Sequence, residues 1–469
     1  MATALELDDI QGLVVRGYGR LKSAAFVLLT IQDATAARRW LAGLLPQVTS
    51  AAQRDGDFAL NVGLSMDGLR HLGVDETVVA GFSEAFRFGM TDPTRSRFLG
   101  DIDDQAPSTW LWGGTATPRV DVLLLAYGRD QPTLERGVTA ALGGAPGVTE
   151  VSRLAAVDLP SGDASVQFRE PFGFRDGISQ PLIEGLPKAA AGGEVVRAGE
   201  FVLGYPNEYG ELTDRPLLSA SSDPGLVLPL DPGGSGCRDL GRNGTYLAFR
   251  QLQQDVDGFW QFVDEAARTS HDGDEADRST ALAAKLVGRW PSGAPLVLTP
   301  EHDDPALADE NDFTYVARDA LGLACPLGAH VRRANPRDSL EPDVSTEDAI
   351  SRTRRHRVVR RSRAYRTEGQ DGGPVEQGLH FFCIGANLSR QFEFLQHTWM
   401  NNPNFNGLYD DADPLVGARR PRGATFTLPA RPVRRRLRPL PEFVRVRGGG
   451  YFFLPGIRAL HYLSASSTP

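Results

Sequence analysis

A repeated grammar constrains this chain more than any other feature. Two stretches carry the same alternation of strand and helix signals, and residues 186–244, rich in Gly, Pro and Ser, lie between them. In the first stretch, residues 24–31 are an apolar run of strand formers. Asp33 stands where a helix needs an N-cap, and Ala37, Trp40, Leu41 and Leu44 then recur on one helical face. Phe58, Leu60, Val62 and Leu64 alternate with Ala59, Asn61 and Gly63, the period of a half-buried strand. A short helix over 65–72, a strand over 120–127, a helix over 132–142 and a strand near 151–159 complete the set. This order predicts a ferredoxin-like unit, an antiparallel sheet with helices on one face.

The second stretch repeats the pattern. Residues 245–252 are strand-like, and Asp255 opens a helix with Val256, Trp260, Val263 and Ala267 on one stripe. An apolar strand over 378–385 precedes an amphipathic helix over 388–400 that aligns Phe392, Leu395 and Trp399. A last strand over 451–454 leads into a C-terminal helix. The expected fold class is therefore α+β, with two ferredoxin-like domains at 1–185 and 245–469 joined by the segment 186–244. Gly233-Gly-Ser-Gly236 in that segment lacks the Gly-Lys-Ser/Thr of a phosphate loop and reads as an ordinary loop.

Composition narrows the partners. A chain of 469 residues, 41% hydrophobic and 23% charged, is ordinary for a globular protein, and its formal charge of −9 argues against nonspecific nucleic-acid binding. Basic runs at 352–366 and 431–438 are either solvated faces or anion-facing surfaces. Cys237, Cys325 and Cys383 give neither a disulfide framework nor zinc spacing and suit a reducing compartment. The first residues show no basic segment followed by an apolar one, and no apolar run is long enough to span a bilayer. The expected location is cytoplasmic, without membrane association. Residues 464–469 read as a frayed tail.

Chemistry concentrates in three segments. Residues 170–181, Glu-Pro-Phe-Gly-Phe-Arg-Asp-Gly-Ile-Ser-Gln-Pro, set Asp176 between Gly173 and Gly177 and beside Phe172 and Phe174. Glycine lets backbone approach a bound group closely, and apolar neighbours suit a carboxylate to carry a proton. The competing reading is an Asp-Gly turn. Residues 325–337 place His330 behind small residues and before Arg332, Arg333 and Arg337. Neutral imidazole is a common ligand for iron, and arginines neutralise carboxylates on an anionic cofactor. The third segment, residues 356–365, is rich in arginine.

Gly173-x-x-Asp176-Gly177, Ala329-His330-Val331-Arg332 and Val359-Arg360-Arg361 occur in this order. With them stand Leu203-Gly-Tyr-Pro-Asn-Glu-Tyr-Gly210, Gly288-Arg-Trp-Pro-Ser-Gly-Ala-Pro295 and Gly449-Gly-Tyr-Phe-Phe-Leu-Pro455. Together, from about Asp9 to Leu463, the chain resembles the dye-decolourising peroxidases, a family of haem peroxidases. The resemblance implies haem b held mainly by the second ferredoxin-like domain. It also implies reduction of hydrogen peroxide and oxidation of bulky aromatic donors, dyes and phenolics, through a ferryl compound I.

The resemblance implies roles residue by residue. His330 is the iron ligand. By residue type alone, His356 in the arginine run and His380 on an apolar strand are rivals, whereas His71, His271, His302, His397 and His461 sit in polar, helical or terminal contexts. Asp413 either accepts from the ligand's second ring nitrogen or is a turn residue beside Pro414. Asp176 faces the open side of the iron, with Arg360 beside it to stabilise charge on the leaving oxygen. Arg361 and Arg357 compete for that place, but on a strand Arg360 and Arg361 point to opposite faces. Ser362 departs from the family's usual Arg-Arg-Gly, and the interval from His330 to Arg360 implies an inserted loop over 341–352. Gly177, Leu379 and Phe381 would line the pocket, and Arg332 and Arg337 would pair with the haem propionates; core and surface roles compete for these. Tyr365 and Trp399 are relays for donors too large to enter. A haem-handling protein without catalysis would keep His330 but not need the Asp176–Arg360 pair, and an anion- or nucleic-acid-binding module would use the arginine runs without haem.

Overall fold

The computed structural model describes residues 4–54, 56–157, 168–186, 194–268, 275–368, 375–418 and 423–465. The expected tail and the end of the strand near 151–159 lie partly outside them. The first half contains β1 (Ser23–Ile31), α1 (Ala34–Leu44), β2 (Phe58–Leu64), β3 (Val122–Gly128), α2 (Gln131–Leu142) and β4 (Val148–Ala156). The predicted cap of α1 is present, the Asp33 carboxylate accepting from Ala36 N at 2.6 Å, and Asp130 caps α2 by accepting from Thr133 N at 2.9 Å. Ala37, Trp40, Leu41 and Leu44 are buried as their spacing required.

The second half contains β5 (Thr245–Gln254), α3 (Val256–Ala267), β6 (Val359–Arg360), β7 (Arg363–Thr367), β8 (Glu376–Gly385), β9 (Val444–Leu454) and α4 (Ile457–Ser464). Asp255 caps α3 through Gly258 N at 2.9 Å, but Phe259, Val263 and Ala267 form the buried stripe, with Val256 and Trp260 only packed against its margin. Between β8 and β9 the expected amphipathic helix is wound as π-turns over Ser389–Glu393 and Leu395–Met400. The insertion before β6 is mostly helix, Thr346–Arg354, capped by Ser345. The 233–236 loop folds onto Asp231, which accepts from Gly233 N and Ser235 N.

The strands form a nine-stranded sheet in the order β6-β8-β5-β9-β2-β3-β1-β4, with β7 also pairing β8, and each pairing is antiparallel. Each half has the ferredoxin-like strand order. The halves meet at a single ladder step, Phe453↔Leu64, and there the sheet turns back on itself. Its faces then pack together: Phe26 lies 4.7 Å from Phe382 and 5.9 Å from Phe249, centroid to centroid. The outer edges also approach, with Val157 N donating to Ala364 O at 2.9 Å. Consequently β2 is not half-buried. Residues 59–64 are all buried, and Asn61 sits inside by accepting from Leu13 N at 3.0 Å.

Strand alternation then sorts the second half-sheet, with the register shift between Val446 and Gly448 exchanging the faces along β9. Leu247, Phe249, Phe382, Ile384, Phe452 and Leu454 point into the interior between the faces. Leu252, Gln254, Leu379, Phe381, Val444 and Val446 point outward into a cavity covered by helices and loops. Among the described residues no helix is long and apolar enough to cross a membrane.

Candidate functional site

His330 begins a short helix, His330–Ala334, and its ring lines the cavity. Its Nδ1 lies 3.0 Å from Asp413 Oδ2. Asp413 is wholly buried, and its Oδ1 accepts from Leu415 N and Val416 N, each at 2.9 Å. Both readings of Asp413 therefore hold at once: one oxygen closes a turn and the other orients the imidazole. Burial favours the neutral acid, but the His330 imidazole and the donated hydrogen bonds hold the Asp413 carboxyl below its ordinary value. For His330, burial works against a proton, yet Asp413 raises its affinity above the usual. An ionised Asp413 can only accept, so Nδ1 carries the proton and Nε2 keeps the lone pair on the cavity side.

Asp176 enters the same cavity from the 170–181 segment. Its Oδ1 lies 3.3 Å from Arg360 Nη1 and accepts from Gly177 N at 2.6 Å. Gly177 has φ of +82°, so the turn needs glycine there. Arg360 is fixed by Nη2 donating to Ile178 O at 2.9 Å and by its backbone N donating to Gln180 Oε1 at 3.0 Å. Arg361 turns to the opposite side and donates to Leu13 O and Val14 O. Of the two neighbours, Arg360 is the one that lines the cavity. Leu379 and Phe381 stand in the cavity wall, and Cys383, two positions further on β8, joins them.

Three expected contacts are corrected. Arg332 does not reach the cavity: it is fully buried, donates to Asp319 and to Cys325 O, and stacks over Tyr315. Arg337 likewise donates to Asn311 O and Phe313 O and lies over the Phe313 ring. Gly177 is exposed; Asp176 and Ile178 on either side of it form the wall. The cations that do line the cavity include Arg289 and Arg357. Arg357 donates from Nη2 to Ser179 O at 2.7 Å, while its Nε makes no hydrogen bond and stands 3.6 Å from Glu194. Arg332→Met is accordingly expected to cost the fold about 3–5 kcal/mol, since it strips the partner from a buried ion pair, and to leave cofactor affinity unchanged. Thermal unfolding of the haem-free protein and a haem titration check the two halves of this statement.

The rival histidines lie elsewhere. His380 points into the interior, bonded to Ala155 O, and burial pushes it down to about 4. His356 stacks on Phe394 at 3.9 Å and donates to Arg390 O. Tyr365 and Trp399 are both buried, so neither offers a surface oxidation site. The run 352–366 is not a basic patch, because Arg357 and Arg363 are buried and Arg361 spends its guanidinium on backbone carbonyls.

Sequence reasoning passed over Glu170. It lines the cavity, and burial pushes its carboxyl up to about 7 against three hydrogen bonds, with the charge of Asp176 adding to the rise. Its position at the head of the Asp176 segment was the available signal. The cavity suits an anionic disc: apolar walls from three sheet strands and the π-turns, arginines among its lining, one imidazole nitrogen not held by Asp413. Among the described residues no group of three or more His, Cys, Asp or Glu could hold a metal ion alone.

No family model matches the chain. A dye-decolorizing peroxidase of Exidia glandulosa is 31% identical over 490 residues, covering 98% of this chain and 87% of the relative. A multifunctional dye peroxidase of an Amycolatopsis species is 29% identical, over 98% of this chain and 96% of its own. The crystal structure of a fungal DyP-type peroxidase from Auricularia auricula-judae matches with a TM-score of 0.81 at 28% identity, over 99% of this chain and 100% of that one. Identity of this level along nearly the whole chain, on the same fold, leaves one assignment: the chain belongs to the dye-decolourising peroxidase family.

Proposed function

We propose that this chain, a haem b peroxidase by its family, activates hydrogen peroxide between His330 on one side and the Asp176–Arg360 pair on the other. The observation that carries this reading is that all three side chains line one cavity. Bound haem supplies the iron on which the O–O bond is broken and the oxidising power passed to donors. His330 would hold that iron through Nε2, and Asp413, by accepting from Nδ1, keeps the ring oriented and basic. Asp176 accepts a proton from the near oxygen of peroxide and returns it to the far one, so that water can leave. The Arg360 guanidinium stabilises negative charge on the departing oxygen. Leu379 and Phe381 keep the reacting face dry, which strengthens both effects. Arg289 and Arg357 would pair with the propionates in place of Arg332 and Arg337.

The donors are bulky aromatics, dyes and phenolics, that exchange electrons at the protein surface or cavity mouth. A cytoplasmic setting fits the three free cysteines. We divide the chain at 1–185, 186–244 and 245–469, a division of topology within a continuous sheet. Purified protein loaded with hemin and mixed with one equivalent of peroxide is expected to change its visible spectrum within seconds and then bleach an anthraquinone dye. A haem-loaded protein whose spectrum and dye both stay unchanged would be a haem carrier, and the peroxide chemistry would be withdrawn.

A further inference from the structure

The Glu170 side chain is half-buried in the same cavity as the Asp176–Arg360 pair but has no place in the chemistry above. It folds the turn that precedes Asp176. Oε2 accepts from Phe172 N at 3.0 Å and Oε1 from Phe174 N at 2.9 Å. The backbone closes the same turn, with Gly173 N donating to Glu170 O at 2.8 Å and Glu170 N to Phe174 O at 2.9 Å. Beyond the turn, Asp176 N reaches back across the hairpin to Phe168 O at 3.2 Å. The hub is tied to the sheet, because Gln254 of β5 donates from Nε2 to Oε2 at 2.7 Å. Gln254 is itself buried in the cavity wall, and its Oε1 makes no hydrogen bond. Its amide is therefore held by Glu170 and not by an acceptor role of its own.

We propose that Glu170 is a positioning residue for the distal acid: its carboxylate couples the 170–174 turn to the sheet and so aims Asp176 at the reacting oxygens. This rests on the reading of Asp176 as the proton carrier. Three N–H donors converge on Glu170, which only a carboxylate's two acceptor oxygens can serve. A glutamine offers one oxygen and sets an NH2 against a backbone N–H. The turn then relaxes, and a shift of about 1 Å at Asp176 is enough to cost on the order of a hundredfold in rate.

The test is a double-mutant cycle on the haem-loaded protein, read as the rate of the spectral change with peroxide. Glu170→Gln is expected to slow that rate about a hundredfold with Asp176 present, and less than about twofold in an Asp176→Asn background, because the two positions act as one unit. Equal losses in both backgrounds would make Glu170 a general prop of the fold and overturn the proposal. A wild-type rate for Asp176→Asn alone would instead sink the reading of Asp176 and take this proposal with it. Crystal structures of the haem-free wild-type and Glu170→Gln proteins supply a readout independent of activity: the Asp176 carboxyl is expected to move by about 1 Å as the turn relaxes, and an Asp176 that stays in place would overturn the proposal. Should Glu170→Gln not fold, Gln254→Leu removes the anchor while leaving the turn intact, and its rate loss is expected to disappear in the Asp176→Asn background in the same way.

Discussion

Asp176→Asn is expected to slow the reaction with hydrogen peroxide by about two to four orders of magnitude, the range of a lost general acid–base group. The substitution is nearly isosteric. An asparagine Oδ1 still accepts from Gly177 N, and Arg360 keeps its bonds to Ile178 O and Gln180. What disappears is the ability to take a proton from one peroxide oxygen and deliver it to the other. Haem affinity and thermal unfolding of the loaded protein should therefore stay close to wild type while the stopped-flow rate collapses. Arg360→Leu leaves the acid but removes the fixed positive charge, and its loss should be smaller, about 10²–10³-fold, as for one preorganised donor. A rate within about threefold of wild type for Asp176→Asn, with haem bound, would remove Asp176 from the chemistry. Dye turnover should fall in parallel with the peroxide step, since donors wait on it.

Much of this site was legible because its signals are local. A Gly-x-x-Asp-Gly segment, a histidine behind small residues and an arginine pair at the end of a two-residue strand each carry their geometry in a few positions. Strand alternation allowed only one of Arg360 and Arg361 to face the site, and the resemblance pointed to Arg360; the structure turns Arg361 away to Leu13 O and Val14 O. Arg332 was not legible, since its partner Asp319 lies 13 residues upstream on a separate short helix. A buried guanidinium with backbone acceptors and a cofactor-facing one look the same in sequence. Arg289 and Arg357 reach the cavity only through tertiary folding. The strand and helix order was legible for both halves, but the turning back of the sheet was not. β2 shows why: Ala59, Asn61 and Gly63 look like a solvent face, yet a Cβ added at Gly63 would lie 3.1 Å from Phe452 Cβ, against the other half. Small residues mark close approach as readily as exposure. Periodicity did find the segment 388–400 as a helix, and the aligned Phe392, Leu395 and Trp399 are buried, but its π-winding was not legible.

His330→Ala is expected to have the largest effect on cofactor binding. With His380 turned inward and His356 stacked away, haem affinity should fall by more than the ten- to hundredfold typical of losing a residue behind a metal ligand. Any haem that remains should show a shifted Soret band. Added imidazole should restore part of it, since the cavity keeps its walls and only the donor atom is missing. Asp413→Asn separates ligation from orientation. Its one carbonyl oxygen cannot serve Leu415 N and Val416 N while also accepting from His330 Nδ1, so the turn keeps its amide bonds and the imidazole loses its acceptor. Haem should still bind through His330, but the peroxide reaction should weaken about ten- to hundredfold, the imidazole being less basic and less firmly held. The order His330→Ala, then Asp413→Asn, then wild type in haem affinity follows from one hydrogen bond and one ligand acting in series. Titration of hemin into the three proteins measures it directly, and a His330→Ala protein with wild-type affinity and an unshifted band would move the iron ligand away from residue 330.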